Sequence, residues 1–122
     1  MHLLVVDDDP VVRTLLSAIL ARAGWSITTA SSGEEAMERL AETQFDAVLS
    51  DVQMPGMDGR ELLTRIRGNG STAHVPVILM TGTSDPALLA SLRSEGATAS
   101  IAKPIDPRNI VEHIRTALQP ST

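Results

Sequence analysis

Five apolar runs of strand length alternate with five stripes of helical period, and this alternation constrains the fold more than any other feature of the chain. The runs are Leu3–Val6, Ala47–Leu49, Val75–Met80 and Ala97–Ala102, joined by the alternating, β-branched stretch Ser26–Ala30. Between and after them the apolar residues recur every three or four positions: Val11/Val12 with Leu15/Leu16 and Ile19/Leu20, Ala36/Met37 with Leu40/Ala41, and Leu62/Leu63 with Ile66. The same spacing returns in Leu88/Leu89 with Leu92, and in Ile110/Val111 with Ile114 and Leu118. Strand followed by helix, five times over, closes through right-handed crossovers into a parallel sheet with helices on both faces. Sites in such sheets form beyond the carboxyl ends of the strands, so the residues just after each apolar run are the ones to read for function.

The helix ends are written in the sequence. Asp-Pro occurs three times, at Asp9-Pro10, Asp85-Pro86 and Asp106-Pro107, each time ahead of a helical stripe. Proline at a first helical position sacrifices no hydrogen bond, and the aspartate before it accepts one from the free amides of the first turn. Ser32 and Glu35 have capping-box spacing, Asp58 is placed to cap the third helix, and Gly24 and Gly96 stand where a left-handed residue ends the first and fourth helices. The residues 54–59 read as a tight loop into the third helix.

At the strand ends stand Asp7, Asp8 and Asp9, then Asp51 and Gln53, then Thr81 and Gly82, and finally Lys103. If the first, third, fourth and fifth strands are neighbours, these ends converge. Crowded carboxylates raise one another's pKa unless a cation sits among them. All-oxygen donors suit Mg²⁺, with Mn²⁺ as a substitute. The chain has no cysteine, which excludes disulfides and thiol chemistry, and His2, His74 and His113 read as surface residues away from the strand ends, so zinc does not fit. A carboxylate beside such a metal and an ammonium is equipped for phosphoryl transfer. Of ten Lys and Arg side chains only Lys103 is a lysine, and its point charge fits a single phosphoryl oxygen better than a guanidinium fork. The net charge of −5 argues against nucleic acid as a direct partner, and no apolar run is long enough to span a membrane. Trp25 and Phe45 read as packing residues or partner contacts. On composition alone, Asp51 reads as a plain cap or turn residue, and a threonine at a strand end, such as Thr81, is more often a turn residue.

Taken together and in this order, VVDDDP, SDVQMPGMDG, MTG and KP resemble the receiver domain of two-component response regulators over essentially the whole chain. The resemblance implies a flavodoxin-like, doubly wound three-layer fold with strand order 2-1-3-4-5. It implies that Asp51 is the phosphoacceptor, supplied from a phosphohistidine on a histidine kinase or histidine phosphotransfer protein. Asp7, Asp8, Asp51 and the backbone carbonyl of Gln53 would hold Mg²⁺. Thr81, Gly82 and Lys103 would bind the phosphoryl group, with Thr81 moving as a switch and the Lys103-Pro104 bond cis. Gln53 and Thr83 match positions that tune turnover of the acyl phosphate. Asp9 is assigned to helix capping instead.

The chain departs from the family at Ser100, where many members carry an aromatic that swings inward with the hydroxyl. There is no tyrosine anywhere. The expectation is a cytoplasmic receiver over residues 1–119 with a tail at 120–122 and no effector domain, a monomer or weak dimer with a possible downstream protein target. It is not an enzyme in the ordinary sense, catalysing only its own phosphorylation and slow dephosphorylation. The alternatives are the relay receiver of a hybrid kinase, an aspartate-based Mg²⁺-dependent phosphatase, a flavin carrier of the same strand order, and a docking-only receiver.

Overall fold

The computed structural model describes residues 1–119; the tail read at 120–122 lies outside the described residues. The elements follow in the order β1 (His2–Val6), α1 (Pro10–Arg22), β2 (Ser26–Ala30), α2 (Gly33–Glu42), β3 (Ala47–Asp51), α3 (Gly59–Gly68), β4 (Val77–Thr81), α4 (Pro86–Ser94), β5 (Ala99–Ala102) and α5 (Ile110–Leu118). The sheet is parallel and ordered β2-β1-β3-β4-β5. β3 and β4 are buried along their whole length, which is why they read as unbroken apolar runs, whereas the edge strand β2 is only partly covered and alternates.

Alternation along the strands splits the core in two. Leu3, Val5, Leu49, Ile78 and Met80 face α1 and α5, meeting Leu16, Leu20, Ile110 and Ile114. Leu4, Val6, Val48, Val77 and Leu79 face the other way, against Leu40, Leu62, Leu63, Ile66 and Leu92. A one-residue slip of any central strand would exchange these two sets and misplace every residue that follows.

The caps mostly behave as the sequence predicts. Asp9, Asp58 and Asp85 accept from Val11, Glu61 and Ala87 amides at 2.9, 2.9 and 3.0 Å. Gly24 and Gly96 have φ of +88° and +115°. Four details differ. Asp106-Pro107 opens a separate turn whose Asp106 Oδ1 accepts from Arg108; α5 proper starts at Ile110, with Asn109 in the cap position. Ser32 caps Glu35 as expected, but the Glu35 carboxylate returns to the Ser31 amide, one residue early for a capping box. β4 and β5 begin two residues later than their apolar runs: Pro76 has no N–H for the ladder, and Val77 and Thr98 tie the two strands' approaches together. His2 is half-buried rather than on the surface, its Nε2 2.8 Å from the Thr28 hydroxyl and its ring 4.6 Å from that of Phe45. Every helix carries arginine in its last turn: Arg22, Arg39, Arg65 with Arg67, Arg93 and Arg115.

Candidate functional site

Strand register assembles the site. Val6 lies opposite Ser50, so the next residues along, Asp7 and Asp51, emerge side by side. Asp51 lies opposite Met80, and Thr81, one residue further, lies opposite Ala102, which precedes Lys103. Four strand ends thus bring Asp7, Asp51, Thr81 and Lys103 to one edge, as the sequence predicts for neighbouring strands. Asp7, Asp8 and Asp51 each offer a carboxylate oxygen, all within 4.8 Å of one another; Asp8 is exposed and the other two are buried.

The two oxygens of Asp51 are held differently. Oδ2 is 2.8 Å from Lys103 Nζ, and Oδ1 accepts the Gln53 amide at 3.2 Å. Asp7 Oδ1 accepts the Asp9 amide at 2.9 Å, so Asp9 serves the site through its backbone while its side chain caps α1. Asp7 Oδ2 is buried without a hydrogen-bond partner, with Lys103 Nζ 3.9 Å away. Burial pushes the Asp7 carboxyl above its ordinary range; the Asp9 amide and Lys103 pull it back, while Asp51 and Asp8 push it further up. An orphaned, buried carboxylate oxygen facing two other acids is a group without its natural counter-charge.

Thr81 is buried, its hydroxyl accepting the Thr83 amide at 3.1 Å and its carbonyl accepting the Lys103 amide at 2.9 Å. The Lys103-Pro104 bond is cis. Gly82 is exposed, and a Cβ there would meet nothing within 4 Å. Gln53 presents its side chain to solvent. The Thr83 hydroxyl turns toward α4 and accepts the Asp85 amide at 3.1 Å. Ser100 does not join the cluster; it lies three residues back along β5, half-buried opposite Leu79.

Two residues matter here that the sequence reading passed over. Arg13 donates from Nη1 to the Asp7 carbonyl at 2.7 Å and fixes the turn after β1. Gly59 packs its Cα against the backbone that carries Asp51: an added Cβ would lie 2.3 Å from the Asp51 carbonyl oxygen. The helix spacing from Asp9 could have flagged Arg13; nothing local signals the Gly59 contact.

The assembled groups are a buried carboxylate with an ammonium against it, a nearby hydroxyl, and three carboxylate oxygens close enough together to hold a hard cation. The response regulator receiver domain family model matches residues 3–115. The transcriptional regulatory protein AfsQ1 of Streptomyces coelicolor is 36% identical over 117 residues, covering 96% of this chain and 51% of that protein. The chain spans about half or less of the length of the curated relatives it matches. Among solved structures, the chemotaxis response regulator CheY4 of Vibrio cholerae superposes with a TM-score of 0.90 at 29% identity, covering 95% of this chain and 97% of that one. The receiver domain of sensor histidine kinase PA1611 from Pseudomonas aeruginosa, solved with a magnesium ion coordinated in its active-site cleft, gives 0.85 at 25% identity over 96% of each chain. With its strand order, its acid cluster and these relatives in agreement, the chain belongs to the response regulator receiver domain family, the phosphoacceptor module of two-component signalling.

Proposed function

We propose that Asp51 is the phosphoacceptor and that the phosphoryl group comes from a phosphohistidine on a histidine kinase or histidine phosphotransfer protein. The observation that carries this reading is Asp51 itself: a buried carboxylate, ion-paired to the only lysine and set among two further acids. One Asp51 oxygen attacks phosphorus as the bond from phosphorus to the donor imidazole nitrogen breaks, and the electron pair of that bond leaves with the imidazole. Lys103 transfers its ion pair from Asp51 to the phosphoryl oxygens, and the Thr81 hydroxyl donates to another of them.

The donor set fits Mg²⁺, because all its side-chain oxygens are hard and Asp7 Oδ2 is buried without a partner. Asp7, Asp8, Asp51 and the Gln53 carbonyl would hold it, and when bound it neutralises charge on the transferring group. The magnesium in the PA1611 receiver supports the assignment. Asp9 keeps Asp7 in place, and Arg13 keeps the turn. Gly82 leaves room for the incoming group. Gln53 and Thr83 border the acyl phosphate and set how water reaches it, so slow self-dephosphorylation accompanies the reading.

Residues 1–119 act as one receiver unit in the cytoplasm. The donor protein would dock on α1, where Val11 and Leu15, 72% and 46% exposed, lie one turn apart just beyond the acids. A relay role within a hybrid kinase is the second reading, favoured by the non-aromatic Ser100. The test is to add acetyl phosphate, or beryllofluoride as its non-hydrolysing mimic, with Mg²⁺, and to follow intact mass and amide NMR shifts. A Mg²⁺-dependent adduct in the wild type and none in Asp51→Asn is expected; an adduct that survives in Asp51→Asn rejects the assignment.

A further inference from the structure

We infer that Glu34 is a positioning residue for the divalent cation, bracing the loop after Asp51 against the corner between β2 and α2. The inference rests on the Mg²⁺ reading above and names a residue outside the three-carboxylate cluster that decides how tightly the cation is held.

The two halves of the site come from different connections. Asp7 and Asp8 follow β1, whereas the Gln53 carbonyl belongs to the connection between β3 and α3. One short stretch of chain touches both. The Ala30 carbonyl, at the end of β2, accepts the Asp7 amide at 3.1 Å. Four residues later, Glu34 Oε1 accepts the Met57 amide at 3.1 Å. Among the described residues, this is the one hydrogen bond that joins residues 53–58 to an element other than β3 and α3, which they connect. The corner itself is braced: Ser32 Oγ accepts the Glu35 amide at 3.1 Å, and the Glu35 carboxylate accepts the Ser31 amide at 2.6 Å.

The loop is shaped to receive Glu34. Gly56 has φ of +72°, and a Cβ there would lie 3.2 Å from Glu34 Oε1, so glycine both permits the turn and leaves room for the carboxylate. Beside it Met57 is buried against Gly33, where an added Cβ would lie 2.8 Å from Met57 Cγ and Sδ. The Glu34 carboxyl is held below its ordinary range by its own backbone amide and then by that of Met57, so it is a charged acceptor at neutral pH. A cation that draws on both Asp7 and the Gln53 carbonyl binds best when the two segments are fixed relative to each other beforehand. Without the Glu34 bond, ordering of the loop would accompany binding and subtract from affinity.

The experiment titrates wild type, Glu34→Gln and Glu34→Ala with MgCl₂ and follows the Asp8 and Gln53 amides by NMR. Glutamine keeps an oxygen for the Met57 amide and removes the charge; alanine removes both. The Mg²⁺ Kd should rise about tenfold in Glu34→Ala and stay within about threefold of wild type in Glu34→Gln. In EDTA, hydrogen exchange at the Met57 amide should be faster in Glu34→Ala and return to the wild-type rate in Glu34→Gln. The Glu34 side chain is exposed, so its removal opens no cavity, and the urea midpoints in EDTA should agree within about 0.5 M. An unchanged Kd in Glu34→Ala overturns the inference. Equal weakening in both variants also overturns it, because the charge would then act on the cation from a distance. A weaker Kd with a midpoint outside that range and unchanged Met57 exchange makes Glu34 a stability residue and overturns it as well. Absence of Mg²⁺-dependent shifts in wild type instead sinks the metal reading, and the brace with it.

Discussion

Gly59→Ala tests whether α3 and the phosphoacceptor strand are as closely fitted as they look. The new Cβ would lie 2.3 Å from the Asp51 carbonyl oxygen and 2.8 Å from Val52 Cα, where ordinary contact begins at 3.4 Å. Both neighbours are backbone, so no side chain can rotate away, and the Gly59 amide is bonded to the Val52 carbonyl at 2.8 Å. The backbone must part by about 1 Å, and overpacking of this kind costs ~1–3 kcal/mol. With a urea dependence of about 1–1.5 kcal/mol per molar for a domain of this size, the unfolding midpoint should fall by ~1–2 M. Trp25, the only tryptophan and half-buried, supplies the fluorescence signal. Asp51 moves with its carbonyl, which disturbs its 2.8 Å ion pair with Lys103, and a misplacement near 1 Å should slow phosphorylation from acetyl phosphate by about 100-fold. Gly68→Ala is the control. It lies at the end of the same helix, has no atom within 4 Å of the added Cβ and is not at positive φ, so it should gain ~0.5–1 kcal/mol with unchanged rate. A Gly59→Ala protein with wild-type midpoint and rate, or equal losses in both variants, would refute the reasoning.

Three further outcomes are expected. Asp8→Ala should abolish the Mg²⁺-induced rise in melting temperature, whereas Asp9→Ala should keep that rise and lose about 1 kcal/mol of stability as a missing cap; equal loss of the metal effect would mean Asp9 ligates as well. In metal-free buffer Asp7→Asn should be more stable than wild type at pH 7. The folded state holds the Asp7 proton more tightly than the unfolded chain does, so wild type is favoured below the unfolded value of 3.8 and loses that contribution as pH rises through the raised folded value. The advantage of Asn should therefore shrink as pH falls toward 3.8, and an advantage that is the same at all pH would contradict the raised Asp7 value. Leu15→Arg should slow transfer from a cognate phosphohistidine protein at least tenfold while leaving phosphorylation by acetyl phosphate as it was; equal slowing with both donors would remove α1 from the docking face.

What could be read from the sequence was whatever neighbouring residues determine. The periods of the stripes follow from burial of one face, and Asp9, Asp58 and Asp85 bond amides two or three residues away, so their roles show in local spacing. The convergence of Asp7, Asp51, Thr81 and Lys103 was conditional on strand adjacency, which the family resemblance supplied and periodicity alone cannot. Long-range fits stayed invisible. Arg67 ties down two connections at once, donating to the Gly96 carbonyl between α4 and β5 and to the Val75 and Ala73 carbonyls between α3 and β4, and Gly96 is glycine both for its positive φ and because a Cβ would press on Arg67 Cγ at 3.0 Å. Arg60 and Glu95 are 35 positions apart. Asp106-Pro107 misled because its motif matched the other two, yet the chain inserts one more turn before α5.

The arginines in the last turn of every helix have a consequence beyond capping. Parallel strands with returning helices put all the helix amino ends on the acidic edge and all the carboxyl ends, with their arginines, on the opposite one. The molecule is thus electrically two-ended, whatever its net charge of −5. In the field of a basic partner it experiences a torque as well as a pull, and it reaches contact already turned with its acids forward. That orientation acts over roughly one Debye length, about 8 Å at physiological ionic strength. Encounter rates should accordingly fall as salt rises, before any residue of the interface has touched its counterpart.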